Sequence, residues 1–114
     1  MIVKKEDISA IDFDGLRIFD YTAGRTEASS FAVIEVPPKA SHRLSWSKRS
    51  DKFYYVIDGR IEFTINGESS TLGKGDFCIV KKGEKFRYRN DSDAAALIVL
   101  VHTPGFELEE EVFE

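Results

Sequence analysis

The side chains best suited to chemistry in this chain are two histidines, His42 and His102, and one cysteine, Cys78. Imidazole changes its charge near neutral pH, so a histidine can act as an acid, a base or a metal ligand. The alternative for both is an ordinary strand or loop position. A single cysteine excludes a disulfide within the chain. Its place in the apolar run at residues 77–80 predicts a small buried side chain rather than a catalytic thiol.

The charge balance argues against a nucleic-acid partner. The 114 residues carry a net charge of −4, whereas neutralising phosphates needs an excess of positive charge. No apolar run approaches the roughly 20 residues that cross a bilayer, and residues 1–6 lack a secretory hydrophobic region. We therefore expect a cytoplasmic protein without a nucleic-acid or membrane partner. Five basic residues fit a solvated outer face: Lys48, Arg49, Lys81, Lys82 and Lys85.

The elements that must position these residues are β-strands. Short apolar stretches recur about every ten residues between Gly, Pro, Asp, Asn and Ser, which is typical of an all-β domain. Asp58-Gly59 and Asn66-Gly67 are strong signals for type I′ hairpin turns, and they predict a meander over residues 53–72. The predicted strands span residues 16–21, 30–36, 42–47, 53–57, 60–65, 77–80, 85–89 and 97–103.

The strand at residues 53–57, with the sequence Phe-Tyr-Tyr-Val-Ile, is apolar on both of its faces. Such a strand needs a packing partner on each side, for example a barrel interior on one side and a second sheet or subunit on the other. The strand at residues 60–65 instead alternates between apolar and polar residues, so one of its faces is exposed. The doubly apolar strand predicts a homodimer.

The spacing of three glycines and one asparagine identifies a family. Gly75, Gly83 and Asn90 lie in one segment, and Gly59 ends the preceding one. This spacing resembles the two motifs of the cupin superfamily, with motif 1 at about residues 39–59 and motif 2 at residues 75–90. The resemblance implies an all-β fold, the cupin double-stranded β-helix or jelly-roll β-barrel. It implies a single domain over residues 1–114 with a C-terminal tail at 104–114.

The resemblance also gives the positions where typical cupins hold a metal with three imidazoles and one carboxylate. Two histidines cannot supply three imidazoles, and a lysine at the carboxylate position adds a cation that repels a metal. We therefore expect no metal and no other cofactor. A shifted bulge would nevertheless turn His42 inward, toward His102. The residues at the aligned positions are Ser45, Ser47, Lys52 and Phe86 if four residues separate the second serine from the lysine; if three separate them, Trp46 and Lys48 take the place of the two serines.

Alternate strand residues share a face with these positions, so the resemblance predicts a mixed interior lining. Hydroxyls, phenols and an ammonium beside aromatic walls suit a small polar molecule, and Lys52 offers its charge to a carboxylate or phosphate. The alternative for Lys52 is a side chain solvated at the barrel mouth. We expect a solvated acidic tail at residues 107–111, with Val112 and Phe113 packed back onto the barrel. The predicted ligand-binding residues are Ser45, Ser47, Lys52, Tyr54, Phe86 and Tyr88.

Three functions stay open at this point. The first is binding or sensing of an unidentified small molecule, anionic or sugar-like, without a metal. The second is an enzyme, because the resemblance extends to metal-independent sugar-nucleotide isomerases and epimerases that use histidine and tyrosine as acids and bases. The third is a structural dimeric barrel whose interior is filled by Phe86 and its neighbours. The candidate catalytic residues are His42, Tyr54, Tyr88 and His102.

Overall fold

Eleven β-strands make up most of the fold in the computed structural model, which describes residues 1–114. Two single-turn 3-10 helices, Lys5–Asp7 and Leu108–Glu110, lie near the chain ends. No helix is long and apolar enough to span a membrane. The strands are β1 (Ile11–Phe13), β2 (Leu16–Asp20), β3 (Ser30–Val36), β4 (Ser41–Ser47), β5 (Asp51–Asp58), β6 (Arg60–Ile65), β7 (Glu68–Gly73), β8 (Phe77–Val80), β9 (Phe86–Arg89), β10 (Ala96–Thr103) and β11 (Glu111–Phe113).

Two antiparallel sheets face each other in a jelly-roll arrangement. The six-stranded sheet has the order β1-β2-β3-β10-β5-β8, and the five-stranded sheet has the order β11-β4-β9-β6-β7. Inward and outward residues alternate along the central strands, as in β10, where buried and partly exposed residues follow each other without a break. The fold is therefore all-β with a cupin-type barrel, as the sequence predicts.

Aliphatic and aromatic side chains together fill the space between the sheets in one cluster. Its aliphatic members include Ile34, Val56 and Ile98, which are at most 2% exposed. Tyr54, Phe86 and Tyr88 belong to the same cluster and are equally buried. These three aromatic residues are predicted site residues, and Tyr54 contacts both of the others.

The asparagine of motif 2 is a structural hub. Asn90 is fully buried, and its amide donates hydrogen bonds to the carbonyls of Val36 and Ala94 at 3.0 and 2.7 Å. Its Oδ1 accepts from the amide and the hydroxyl of Ser92. One side chain thus ties the end of β3 to the loop between β9 and β10, which explains its role in the fold.

One of the two predicted hairpins forms and the other does not. Asn66 and Gly67 both have positive φ, at 49° and 84°, and they join the paired strands β6 and β7. At Asp58-Gly59 only the glycine has positive φ, and β5 and β6 belong to different sheets. The predicted meander over 53–72 is therefore wrong at its first turn, because the chain passes there from one sheet to the other.

All eight predicted strands occur, with ends that differ by at most two residues. Three further strands have weaker sequence signals. The strands β1 and β11 have three residues each, which is too short to show an alternation. The strand β7 is largely polar and exposed, so the hydrophobic pattern gives it little support.

Candidate functional site

A bulge in β4 turns His42 into the barrel. The register of β4 against β9 shifts between the pairs His42–Tyr88 and Ser45–Phe86, so three steps on β4 match two on β9. The His42 ring then packs on Phe86 and Tyr88, with centroid distances of 5.0 and 5.1 Å. The sequence analysis gives an inward-facing His42 as an alternative, and the structure shows His42 facing inward.

The hydrogen bonding of His42 defines which nitrogen is free. Its Nδ1 lies 2.7 Å from the carbonyl oxygen of Arg43. A carbonyl only accepts, so Nδ1 carries the proton and Nε2 keeps its lone pair. Burial lowers the pKa of His42 to about 4; the Arg43 carbonyl opposes this shift, and the Lys52 ammonium adds to it. His42 is therefore a neutral imidazole at neutral pH, with Nε2 able to accept a proton.

Two tyrosines stand beside this imidazole. The rings of Tyr54 and Tyr88 meet edge to face at 5.7 Å, and both side chains are at most 2% exposed. Burial raises the pKa of both hydroxyls, so they stay protonated at neutral pH. The Tyr88 hydroxyl is buried without a hydrogen-bond partner. An unpaired buried hydroxyl costs about 1–3 kcal/mol, so a polar group that reached it would be held there.

Lys52 lies inside the protein rather than at a solvated barrel mouth. Its side chain is 5% exposed and forms an ion pair with Glu111, whose side chain is 3% exposed. The Lys52 ammonium also lies 5.0 Å from the centre of the Phe86 ring. Burial lowers the pKa of Lys52, and the Glu111 carboxylate works against this shift. The alternative of a solvated Lys52 is therefore wrong. The prediction of a solvated tail is also wrong for Glu111, which is buried.

The C-terminal strand completes the site. The strand β11 pairs with β4 through Glu111–Ser47, Val112–Trp46 and Phe113–Ser45. The Phe113 ring lies 6.4 Å from His42 and 5.2 Å from Phe13, which itself packs on His42 at 5.3 Å. The sequence predicts that Phe113 packs back onto the barrel but assigns no site role to Phe13, Glu111 or Phe113. Their strands are too short to carry a periodic signal.

The two predicted serines are buried and bonded to the backbone. The Ser45 hydroxyl donates to the Arg43 carbonyl at 3.0 Å. The Ser47 hydroxyl accepts from the amides of Arg49 and Ser50 at 3.1 and 2.9 Å, which holds the turn between β4 and β5. Both side chains thus support the strand that presents His42.

His102 occupies a separate part of the interior. It lies opposite Lys52 across β10 and β5, and its ring meets the edge of Phe106 at 5.3 Å. Burial lowers its pKa to about 3, and Lys52 adds to the shift. Its Nε2 is buried without a hydrogen-bond partner. No ring contact joins His42 to His102, although the Lys52 ammonium lowers the pKa of both imidazoles.

The donor set does not fit the metal that cupins commonly bind. No group of three or more His, Cys, Asp or Glu side chains is placed to hold a metal ion. At the aligned positions stand two serines bonded to the backbone, a lysine paired with Glu111, and Phe86. The Lys52 ammonium brings a positive charge of its own into this region. We therefore derive no chemistry through a metal here.

One surface cavity lies over the bulge of β4. It has a volume of about 380 Å³, and its wall includes His42 and Tyr88 together with Glu62, Arg87 and Arg89 from the outward side of the five-stranded sheet. The Tyr88 hydroxyl itself is buried. A second cavity of about 610 Å³ lies between residues 20–27 and 105–108, away from His42. The first cavity is large enough for a small ligand.

Comparisons with known proteins agree with this architecture. The model of the cupin domain family matches residues 32–102. The polyketide synthase protein TcmJ of Streptomyces glaucescens is 30% identical over 71 residues, which are 62% of this chain and 48% of TcmJ. The chain thus spans about half the length of TcmJ. An oxalate-binding protein of Thermotoga maritima is 29% identical over 83 residues, which are 69% of each chain.

A solved structure extends the likeness to the whole fold. The nucleoside dehydratase Pac13 superposes with a TM-score of 0.87 at 19% identity, covering 100% of this chain and 90% of Pac13. At this identity the likeness concerns the fold alone. The family match covers most of the barrel, from β3 to β10. The chain belongs to the cupin family.

Proposed function

We propose that the barrel binds a small, uncharged, nucleoside-like molecule and catalyses metal-independent acid–base chemistry on it. The observation that carries this proposal is the pairing of His42 with Tyr88. A neutral imidazole with a free Nε2 lies 5.1 Å, ring to ring, from a tyrosine whose buried hydroxyl has no partner. A base and a hydrogen-bond donor side by side form the minimal set for moving a proton on a bound substrate.

The proposed reaction class is elimination of water or the related isomerisation. His42 Nε2 takes a proton from a carbon next to one that bears a hydroxyl. The electron pair of that C–H bond forms a C=C bond, and the C–O bond breaks. The leaving hydroxyl takes a proton from Tyr88 or Tyr54 and departs as water, after which the imidazolium returns a proton to the phenolate. No oxidant, reductant or metal is needed.

Structural neighbours support this choice of ligand. Structures of Streptomyces Pac13 variants, in which one histidine or one of two tyrosines is replaced, contain uridine. The present chain likewise has one histidine and two tyrosines in one aromatic cluster. Aromatic rings around a polar centre suit a nucleobase or a sugar ring.

The charge of the site favours an uncharged ligand. The sequence predicts that Lys52 receives an anion, but its ammonium already has a carboxylate partner in Glu111. A second anion at this place would meet the Glu111 charge in a poorly screened interior. We therefore expect nucleosides to bind better than nucleotides or dicarboxylates such as oxalate.

A thermal-shift titration tests binding. Uridine and other nucleosides should stabilise the protein, by about 2.7 kcal/mol at a ligand concentration 100 times the dissociation constant. Uridine monophosphate and oxalate should stabilise it less. Tyr88→Phe and His42→Gln should reduce the effect, whereas Tyr21→Phe should not, because Tyr21 packs on Phe31 away from the site. Absence of stabilisation by every nucleoside would refute the proposal.

Mass spectrometry tests the chemistry. Nucleosides incubated with the protein in D₂O should lose water or gain deuterium, and His42→Gln should abolish both. A binding or sensing protein without turnover is the second candidate, favoured by the unpaired Tyr88 hydroxyl, which can hold a polar group of a ligand whether or not a proton is transferred. Nucleoside binding without loss of water or deuterium uptake would support that candidate.

A further inference from the structure

Two phenylalanine rings cover His42 from the edges of the two sheets. Phe13 lies on β1, the outermost strand of the six-stranded sheet, and Phe113 lies on β11, the outermost strand of the five-stranded sheet. The Phe13 ring packs on His42 at 5.3 Å and on Phe113 at 5.2 Å. The two sheets therefore meet over the imidazole through this pair of rings.

The interior beside His42 is closed to solvent. The Tyr88 hydroxyl is buried, and the Tyr88 ring packs on Phe63 and Tyr54 at 5.2 and 5.7 Å. Rings packed in this way leave no free space for a molecule as large as a nucleoside. A ligand therefore reaches His42 Nε2 and the Tyr88 hydroxyl only when a covering side chain moves aside.

The two covering strands are held with different strength. Phe113 lies two residues from Glu111, which forms the buried ion pair with Lys52. The strand β1 pairs only with β2, through three residue pairs, and none of its residues is fully buried. A segment with few buried contacts separates from the fold at a low free energy. Phe13 is therefore the cover that moves, while Phe113 stays in place.

An ion pair holds Phe13 over His42. The Arg43 guanidinium donates hydrogen bonds to both carboxylate oxygens of Asp14, at 2.9 and 3.1 Å. Asp14 directly follows Phe13 and begins the turn to β2, and Arg43 directly follows His42. The side chains of Arg43 and Asp14 are 49% and 39% exposed. Solvent screens such a pair, so breaking it costs little free energy.

We propose that the hairpin of β1 and β2 is the entrance to the site, with Phe13 as its cover and the Asp14–Arg43 ion pair as its latch. A ligand ring takes the place of the Phe13 ring on the His42 imidazole. A phenyl ring and a pyrimidine ring have nearly the same size, so the ligand restores the ring contact that opening removes. The choice of a pyrimidine rests on the proposed function, whereas the opening is a property of the chain alone.

Carbethoxylation by diethyl pyrocarbonate at neutral pH measures the opening without a ligand. The reagent modifies accessible neutral imidazoles, and peptide mass spectrometry separates His42 from His102. Asp14→Asn should raise the rate at His42 about 3-fold, because asparagine tolerates the positive φ of this turn but carries no charge. Phe13→Ala should raise the same rate about 10-fold or more. The rate at His102, the internal standard, should not change.

Glu35→Gln is the matched control. It breaks an exposed 2.9 Å ion pair with Arg17 on β2 and leaves the latch in place, so the rate at His42 should equal that of the wild type. An Asp14→Asn or Phe13→Ala variant that reacts no faster than Glu35→Gln would overturn the proposal. So would a wild type whose His42 reacts as fast as free histidine, or a parallel rise at His42 and His102, which would indicate a general loosening of the fold.

Uridine titration of the same variants provides a second measurement. A ligand that displaces Phe13 binds only the open form, so its apparent dissociation constant falls by the factor by which the open fraction rises. Asp14→Asn should therefore bind uridine about 3-fold more tightly, the same factor as in carbethoxylation. Unchanged or weaker uridine binding despite a faster reaction at His42 would contradict the displacement of Phe13. A protein that binds no nucleoside refutes the proposed function, while the reactivity of His42 still decides whether the hairpin is an entrance.

Discussion

Lys52 on β5 and Glu111 on β11 form a buried ion pair that connects the two sheets of the barrel. The two side chains are almost completely withdrawn from water, and the ammonium also contacts the Phe86 ring. Each charge is tolerated inside the protein because the other is present. The pair therefore couples the short C-terminal strand to the stability of the whole interior.

Removing one partner of this pair should be strongly destabilising. Glu111→Gln leaves the Lys52 ammonium buried without a counter-charge, and we expect the free energy of unfolding to fall by about 3–5 kcal/mol. Replacing both partners, with Lys52→Met and Glu111→Leu, should recover most of this loss. Urea denaturation of the single and double variants measures the coupling. An equal loss of unfolding free energy in the single and the double variants would contradict a coupling between Lys52 and Glu111.

Glu114→Gln is a matched control for Glu111→Gln, because it removes the same charge three residues further along the chain. Glu114 forms a 3.0 Å ion pair with Lys85, but both side chains are well exposed, at 38% and 52%. Glu114→Gln should cost less than about 1 kcal/mol, since solvent screens an exposed pair. The contrast with Glu111→Gln separates the effect of burial from that of charge removal near the C-terminus.

The two histidines predict a loss of stability in mild acid. The folded-state pKa is about 4 for His42 and about 3 for His102, below the ordinary 6.5. Between these values the unfolded chain binds more protons than the folded one. The free energy of unfolding should therefore be highest above pH 6.5 and fall as the pH decreases toward 4.

The change in the free energy of unfolding per pH unit can be measured. Two histidines give a limiting slope of about 2.7 kcal/mol per pH unit, and His42→Gln should reduce it by about half. Urea denaturation between about pH 6.5 and 5 avoids most carboxylate titration, which lies near pH 4. A slope unchanged by His42→Gln would mean that this imidazole has the same pKa in the folded and in the unfolded chain.

Tyr88→Phe should separate stability from ligand binding. The Tyr88 hydroxyl is buried without a partner, so its removal deletes an unsatisfied polar group and leaves the ring contacts with His42 and Phe63 in place. We expect a free energy of unfolding equal to that of the wild type or up to about 1 kcal/mol higher. Nucleoside binding in a thermal-shift assay should weaken in the same variant. A destabilised Tyr88→Phe protein would indicate that the hydroxyl has a partner in solution.

Gly59 and Gly83 should respond differently to the same substitution. Both have positive φ, at 82° and 86°, so alanine is strained by about 1–2 kcal/mol at either position. A Cβ at Gly59 would also lie 2.8 Å from Ala96 Cα, whereas nothing lies within 4 Å of one at Gly83. Gly59→Ala should therefore cost at least about 2 kcal/mol more than Gly83→Ala in thermal or urea unfolding. An equal loss of unfolding free energy in both variants would show that the backbone of β10 moves away at Ala96 to make room for the new methyl group.

The sequence predicts the barrel well because its strands alternate and its glycines mark turns. Gly59, Gly75 and Gly83 all adopt the positive φ that only glycine takes easily, so their spacing reports backbone geometry directly. The turn at Asp58-Gly59 was mispredicted because a local signal does not distinguish a hairpin from a crossing between sheets. The surroundings of this turn include Ala96, which lies far away in the sequence and packs against Gly59, so a local signal does not contain them.

The site is only partly predictable for the same reason. Tyr54, Phe86 and Tyr88 face inward as strand alternation requires. The position of His42 depends on a bulge, which shifts its side chain by one register and leaves no mark in the periodicity. Glu111 lies in an acidic segment that reads as a solvated tail, and its burial follows from the position of Lys52 on another sheet.

The C-terminal strand has a consequence for how cupin interiors diversify. The family match ends at His102, and the two sequence motifs lie entirely before it. Glu111 and Phe113, which set the charge and one wall of the site, come from outside this region. A change confined to the terminal segment can therefore alter the charge and one wall of this interior while both motifs stay the same. Inheritance of both motifs does not guarantee inheritance of the ligand.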